Sequence, residues 1–550
     1  LAYKNFPGIA FAPGRNIPLS TKSPFHVMKE PLYEEFQATG LSDIDYIKTH
    51  ATQRGVKTTR RNINISLEKC DVPVRYPCDE IQEYAEELAF QYLGPYLTVP
   101  IVSTDHKYEL NMQASPAKYW KRKGAPSKGE AVIHPDFIDM WASTDHVPIC
   151  DYNGKTELLE VEEIDAGKIR GTFNPPLDFI MKQKLLYDNQ NAALLDNNDK
   201  TWIKYGFVKQ HGGFDSIGKK LQTCTFISED DCKGYDRNIF LEPTYRLRNR
   251  CLIVPDSMKI LLSYVLYWIL FPMVACPDGV IRQRGTGNIS GSNNTTVDNS
   301  IAHVIIMMRF MCKLWLKFMG KLPTLEEITQ SVCCYIYSDD NTTGYKLPFD
   351  ISLEEFTALK RETYAEFGLI LKPEQSHITF VVNKRIDENH TFLGSSFHFD
   401  ETLNSYIPFP RINKIASSLV YTVDKKNEAD VLCKMFSLCV LSSMVPKLGE
   451  ECRNFTRFLL GKVKDPHLII GFDNLKLINS ALSHPRQFYL QLVGRQCSNH
   501  FTGGRKVQNG TSKRYSRDRK EDRQTICQSR QLRRGDTMVQ RIIRSFQRRT

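Results

Sequence analysis

The stretch CCYIYSDDNTTGY, residues 333–345, constrains what this chain can fold into more than any other. Side chains alternate along a strand, so Cys333, Tyr335 and Tyr337 share one face while Cys334 and Ile336 share the other. NTTGYKL reads as a return strand, and the segment therefore predicts a hairpin with the turn Ser338-Asp339-Asp340-Asn341 and two carboxylates at its tip. Asp and Asn favour turns for local hydrogen-bonding reasons, so this pair alone would need no function. A second acidic strand end changes the balance: TCTFISEDDCKGYDRNIF, residues 223–240, is a β-prone run closing in acids, with Asp231 and Asp236 five apart. Oxygen ligands from two separate strand ends suit hard divalent cations. Two such ions about 3.5–4 Å apart can activate an attacking hydroxyl and stabilise the leaving oxygens in phosphoryl transfer. Asp231 and Asp339 are the candidates to bridge them.

The rest of the chain sets bounds on this reading. Its 550 residues allow more than one core, and 41% hydrophobic with 25% charged residues is globular composition, which argues against disorder throughout. Fifteen cysteines lie without a Cys-x-x-Cys pair or regular spacing, which reads as reduced thiols and not as a disulfide framework or a zinc site. The first residue is Leu1, as expected of a fragment or a piece cut from a polyprotein. ILLSYVLYWILFPMVAC, residues 260–276, is only 17 residues long and broken by Pro272, so it predicts a buried helix to about Leu270 and then a strand-turn-strand, not a membrane span. Charge is uneven: residues 505–549 hold fifteen of the 73 Lys and Arg but four of the 62 Asp and Glu, leaving 58 of each sign upstream. The stretch 501–550 has almost no apolar residues early on and reads as a disordered, polyanion-seeking arm.

A third segment, GTGNISGSNNTTVDNSIAH at residues 285–303, runs into a helical pattern. By itself it is a loop before a core helix. Yet Gly287, Ser290, Gly291, Thr295 and Asn299 are spaced so that a loop meets a helix whose polar face carries Thr295 and Asn299, four apart, and such a loop can hug a nucleotide.

These segments, in this order, resemble the viral RNA-dependent RNA polymerases of the picornavirus, calicivirus and astrovirus type. Asp231-x4-Asp236 resembles their motif A, Gly287 to Asn299 their motif B, and Ser338-Asp339-Asp340 stands where they usually have Gly-Asp-Asp, motif C. KTELLEVEEIDAGKIRGTF, residues 155–173, is similar to motif F, with Lys155, Glu157, Lys168 and Arg170 in register but Leu159 in place of a common arginine. ASPAKYW (114–120), EFGLILKPEQSH (366–377) and FLGSSF (392–397) resemble motifs G, D and E more loosely. The resemblance runs over roughly residues 20 to 490.

The resemblance implies two Mg2+ or Mn2+ ions held by Asp231 and Asp339 with Asp340 auxiliary, and an incoming NTP held by Lys155, Lys168 and Arg170 at its phosphates. Asp236, Ser290, Thr295 and Asn299 would also bind the nucleotide, with Ser115, Gly287 and Gly291 on RNA. Motif D usually offers a lysine as general acid; Ser376 falls at that position, so Lys372 or His377 is the candidate donor. Partners would be an RNA template and product strand, NTPs and other viral replication proteins, in the host cytoplasm at membrane-associated replication complexes. The implied fold is an α+β right hand with an antiparallel palm sheet flanked by helices. Fingers would take 1–220 and 242–283, palm 221–241 and 284–400, thumb 401–500, with the basic tail at 501–550.

Two other readings compete. Tyr337-Ser338-Asp339-Asp340 also fits the Tyr-x-Asp-Asp signature of reverse transcriptases, but those place an aromatic five residues after the first motif A aspartate, where this chain has Asp236. Asp236 with Asn299 can hydrogen-bond a ribose 2′-hydroxyl, the group that distinguishes RNA from DNA. The other reading, a noncatalytic RNA-binding protein with a basic arm, predicts no metal-dependent turnover.

Overall fold

The structure is a computed structural model. It describes residues 2–4, 10–11 and 27–493, apart from 57–64, 67–72, 103–109, 167–169, 277–280, 286, 374–375, 424–427, 464 and 467–471. Lys168 and the basic stretch 501–550 therefore lie outside the described residues.

At the centre is a four-stranded sheet built from β1 (Phe226–Asp230), β2 (Val332–Tyr337), β3 (Asp340–Tyr345) and β4 (Ile378–Phe380) in the order β2-β3-β1-β4, every pairing antiparallel. Its two faces follow the alternation read from the sequence. Phe226, Cys334, Ile336 and Tyr345 enter a core shared with the helices α1 (Thr295–Met319) and α2 (Leu353–Glu366), whereas Ile227 and Tyr335 pack against the helix Gly213–Leu221 and the strand Ser405–Pro410. α1 is buried along most of its length because the helix Glu80–Leu97 covers its far side, as a helix apolar all round requires.

The hairpin differs from its expected form by one residue. Tyr337 pairs with Asp340, so the turn is Ser338 and Asp339 alone and Asp340 opens β3. Two-residue hairpin loops match the strand twist only with positive φ at a central residue, and Ser338 has φ 63°.

Upstream, a five-stranded sheet includes the antiparallel pair Ile149–Gly154 and Gly171–Asn174, and just beyond its end the Lys155 N–H donates to the Arg170 carbonyl at 2.8 Å. The apolar stretch forms the helix Lys259–Leu270, followed by strands Met273–Ala275 and Ile281–Gln283 paired antiparallel. No helix among the described residues is long and apolar enough to cross a membrane. Downstream lie the helices Glu428–Leu441, Pro446–Lys462 and Pro485–Val493. The early chain joins this last body: Val27–Lys29 pairs with Tyr421–Val423, and Tyr33, Phe36 and Ile47 share a core with Leu432, Cys452 and Phe455.

Candidate active site

β1 ends at Asp230, and strand alternation sends its side chain into the core, so Asp231 emerges on the open side of the sheet beside the hairpin turn. A short helix, Tyr235–Asn238, then returns Asp236 to the same cleft. Asn299, on the first turns of α1, ties these parts together. Its amide donates to Asp236 Oδ1 at 2.5 Å and to Ser338 Oγ at 3.0 Å, while its own Oδ1 accepts from Asn288 at 2.9 Å. Ser338 is held further by its N–H to Ser300 Oγ at 2.9 Å.

The electrostatics report crowded negative charge. Reduced hydration in the cleft and then the Asp231 charge raise the Asp339 carboxyl above its usual range, with Arg170 opposing. Asp236 is pushed up to about 6 by burial first and by Asp339 second, and Asp340 to about 7 by burial, Asp339 and Glu229. Several cations of the chain face these carboxylates. Lys372 Nζ lies 2.9 and 2.8 Å from the two Asp231 oxygens. Arg170 forks onto Glu157, with Nε to Oε1 at 3.0 Å and Nη2 to Oε2 at 2.6 Å, and Lys155 Nζ is 3.7 Å from the same carboxylate.

An all-oxygen pair on two strand ends fits magnesium or manganese, which take one or two carboxylates and complete their shell with water and phosphate oxygens. Among the described residues no group of three or more His, Cys, Asp or Glu side chains is placed to hold a metal ion.

The remaining candidates have specific places. The Asp340 carboxylate accepts the Leu393 N–H at 3.0 Å. The Thr295 hydroxyl donates to Ile289 O at 2.7 Å, and Ser290 Oγ accepts the Phe173 N–H at 3.0 Å, so both shape the loop that leads into α1. Gly287 has φ 79°, and a Cβ there would meet the Arg237 carbonyl at 2.6 Å; one at Gly291 would meet the Phe173 carbonyl at 2.3 Å. Those two positions are glycine because backbone passes against them. Ser115 is exposed in the loop before the helix Lys118–Arg122. The His377 carbonyl accepts the Glu229 N–H at 2.8 Å. Leu159, where a basic residue is common, is buried against Val56 and cannot face the cleft.

The sequence profile described as "Viral RNA-dependent RNA polymerase" matches residues 106–465. The chain belongs to that family. Sequence relatives of the polymerase include the Turkey astrovirus 2 non-structural polyprotein 1AB, 24% identical over 412 residues, and the genome polyprotein of Plum pox potyvirus (strain SK 68), 24% identical over 320 residues. These matches take in 70% and 56% of this chain but only 24% and 9% of those longer polyproteins. Among solved structures, the Sicinivirus 3Dpol RNA dependent RNA polymerase superposes with a TM-score of 0.61 at 15% identity, covering 86% of this chain and 98% of that one. The polymerase thus has the right-hand fold, with the four-stranded sheet as its palm.

Sequence reasoning missed what lies behind this palm. Lys360 Nζ is 2.7 Å from Asp230 Oδ2 and 3.1 Å from the Tyr345 hydroxyl, with both charged side chains almost wholly buried. Asn341 donates to Asp230 at 2.9 Å and meets His303 Nε2 at 2.7 Å, while the Tyr364 hydroxyl stands 2.8 Å from that same nitrogen. His303 Nδ1 is 3.2 Å from the Ser338 carbonyl, which links this network to the turn. One signal was available: Phe356, Lys360 and Tyr364 recur four apart, so the lysine sits on the apolar stripe of its helix.

Proposed function

We propose that the chain extends an RNA strand on an RNA template by two-metal nucleotidyl transfer from NTPs. The observation that carries this reading is the meeting of Asp231 and Asp339 from two strand ends in one cleft, close enough for the Asp231 charge to raise the Asp339 carboxyl. Divalent ions bound there would neutralise the triphosphate and activate the attacking hydroxyl. Asp231 and Asp339 are the proposed metal ligands, with Asp340 auxiliary because its carboxylate already accepts the Leu393 N–H. Arg170, Lys155 and Lys168 would hold the phosphates, Arg170 exchanging Glu157 for the substrate. Asp236 and Asn299 would read the ribose 2′-hydroxyl. Lys372, already at Asp231, is better placed than His377 to protonate the leaving pyrophosphate. The setting proposed is the host cytoplasm, with other replication proteins at membranes.

The test is incorporation on a primed RNA template with four nucleotides and magnesium or manganese. Template-dependent RNA synthesis that stops with chelator is expected. Absence of turnover would favour a noncatalytic RNA-binding protein, and preference for deoxynucleotides a reverse transcriptase.

A further inference from the structure

Cys224 and Cys333 lie 109 positions apart in the chain, and their sulfur atoms are 3.3 Å apart. Cys224 sits in the turn entering β1, and Cys333 is the second residue of β2. Between them runs β3, where Gly344 pairs with Cys333 on one side and Ile227 on the other. A Cβ on Gly344 would stand 2.5 Å from Cys224 Sγ and 2.9 Å from Cys333 Sγ. The missing side chain is therefore the notch that both thiols fill.

Access separates this pair from most other thiols of the fold. Cys150, Cys232, Cys251, Cys276, Cys312, Cys334, Cys439 and Cys452 are buried, whereas Cys224 and Cys333 are each partly open. The two share a hydrogen bond that favours the Cys333 thiolate, drawing it below the usual thiol range with help from the backbone of Gly344 and from Lys220, and that holds the proton on Cys224. A thiolate next to a resolving thiol is the arrangement that oxidises to a disulfide instead of stopping at a single oxidised sulfur.

We propose that Cys224 and Cys333 are a reactive dithiol that closes to a disulfide under a two-electron oxidant of the peroxide class, tying the strand that leads to Asp231 to the strand that leads to Asp339. The Cys333 thiolate attacks one peroxide oxygen; an S–O bond forms, the O–O bond breaks, and hydroxide leaves and becomes water by taking up the proton that the Cys333 thiol lost on ionising. Cys224, giving up its proton, then attacks the sulfenic sulfur; the S–S bond forms, the S–O bond breaks, and the second hydroxide takes the proton and leaves as water. Two thiols lose two electrons, and one peroxide gains them. The site lies outside the carboxylate cleft and does not depend on the proposed polymerisation.

The test treats the reduced full-length chain with hydrogen peroxide, blocks remaining thiols with N-ethylmaleimide, and maps peptides by mass spectrometry. A Cys224–Cys333 linked peptide is expected first, lighter by two hydrogens than its separate halves and reversed by dithiothreitol. In Cys224→Ser the linked peptide disappears, and Cys333 becomes trappable by dimedone as a sulfenic acid. Dimedone-reactive Cys333 in the unsubstituted chain with no linked peptide would overturn the proposal. So would first linkage through the exposed Cys78 or Cys433.

Discussion

On the buried side of the palm sheet, Asp230 accepts hydrogen bonds from Asn341 at 2.9 Å and Tyr364 at 3.3 Å and is paired with Lys360 at 2.7 Å. On the open side, Asp231 meets only the partly exposed Lys372 among the described ion pairs, and shares the cleft with Asp236 and Asp339. The two aspartates are adjacent in sequence, and alternation along one strand is what separates them. Behind the sheet, the chain answers each charge with its own groups. Burial alone would depress the Lys360 ammonium, and the Asp230 charge more than offsets it, raising it overall. His303 is pushed down to about 4 by burial, so it stays neutral and serves as a hydrogen-bonding bridge. In front of the sheet, burial and then neighbouring carboxylates hold Asp236 and Asp340 above the usual range, more than the nearby Arg170, Lys155 and Arg411 offset. A completed network fixes a shape; an incomplete one invites a cation.

Breaking the buried side should have the largest effect. Lys360→Met leaves Asp230 charged and unpaired in the core, which costs about 3–5 kcal/mol. Chemical denaturation should show that loss, and Asp230→Leu combined with Lys360→Met should recover much of it. Stability of Lys360→Met equal to the unsubstituted protein would mean that Asp230 does not depend on Lys360 for its charge.

The open side should show the opposite pattern. Asp231→Asn or Asp339→Asn should lower incorporation by about a thousandfold, since losing a metal ligand forfeits several kcal/mol of transition-state stabilisation. Unfolding should shift by no more than about 0.5 kcal/mol, as for other exposed substitutions. Asp340→Asn should fall between Asp339→Asn and the unsubstituted enzyme in activity. Wild-type-like incorporation by Asp339→Asn would remove it from the metal site.

What could be read in advance follows the same division. The open side was legible because acids at strand ends interrupt a period-two pattern, and Asp231, Asp236 and Asp339 do meet in one cleft. Asp230 was not, since its partners Asn341, Lys360 and Tyr364 all come from elements more than a hundred residues later. The turn was displaced by one residue because the ladder runs on to Tyr337 and Asp340, which depends on Ser338 tolerating a positive φ that its sequence does not announce. The close carbonyls of Arg237 and Phe173 that keep Gly287 and Gly291 as glycine come from distant segments and carry no signal in the local sequence.

Between the two sides stands Asn299, and removing it should sharpen where recognition ends and scaffolding begins. Asn299→Ala deletes an amide that meets both Asp236 and Ser338. Discrimination between ribo- and deoxynucleotides should fall by about 1–3 kcal/mol, the usual cost of one missing buried partner. Competition between the two substrates on one template measures it. Unchanged selectivity would assign Asn299 to holding the turn alone.

The smallest effect should come from the turn itself, where strain and bonding oppose each other at Ser338. Its φ of 63° lies in the left-handed region, which costs a side-chain-bearing residue about 1–2 kcal/mol relative to glycine. Against that, the hydroxyl accepts the Asn299 amide at 3.0 Å, worth about 0.5–1.5 kcal/mol net. Glycine also gives up about 0.5–1 kcal/mol in backbone entropy. For Ser338→Gly the gain and the two losses should cancel to within about 1 kcal/mol, leaving incorporation close to that of the unsubstituted enzyme. Ser338→Ala keeps the strain and loses the bond, so it should be the less stable of the two by about 1 kcal/mol. If alanine proves more stable than glycine by about 0.5–1 kcal/mol, the backbone at this turn carries no strain, and the hydrogen bond to Asn299 alone explains why serine fits there.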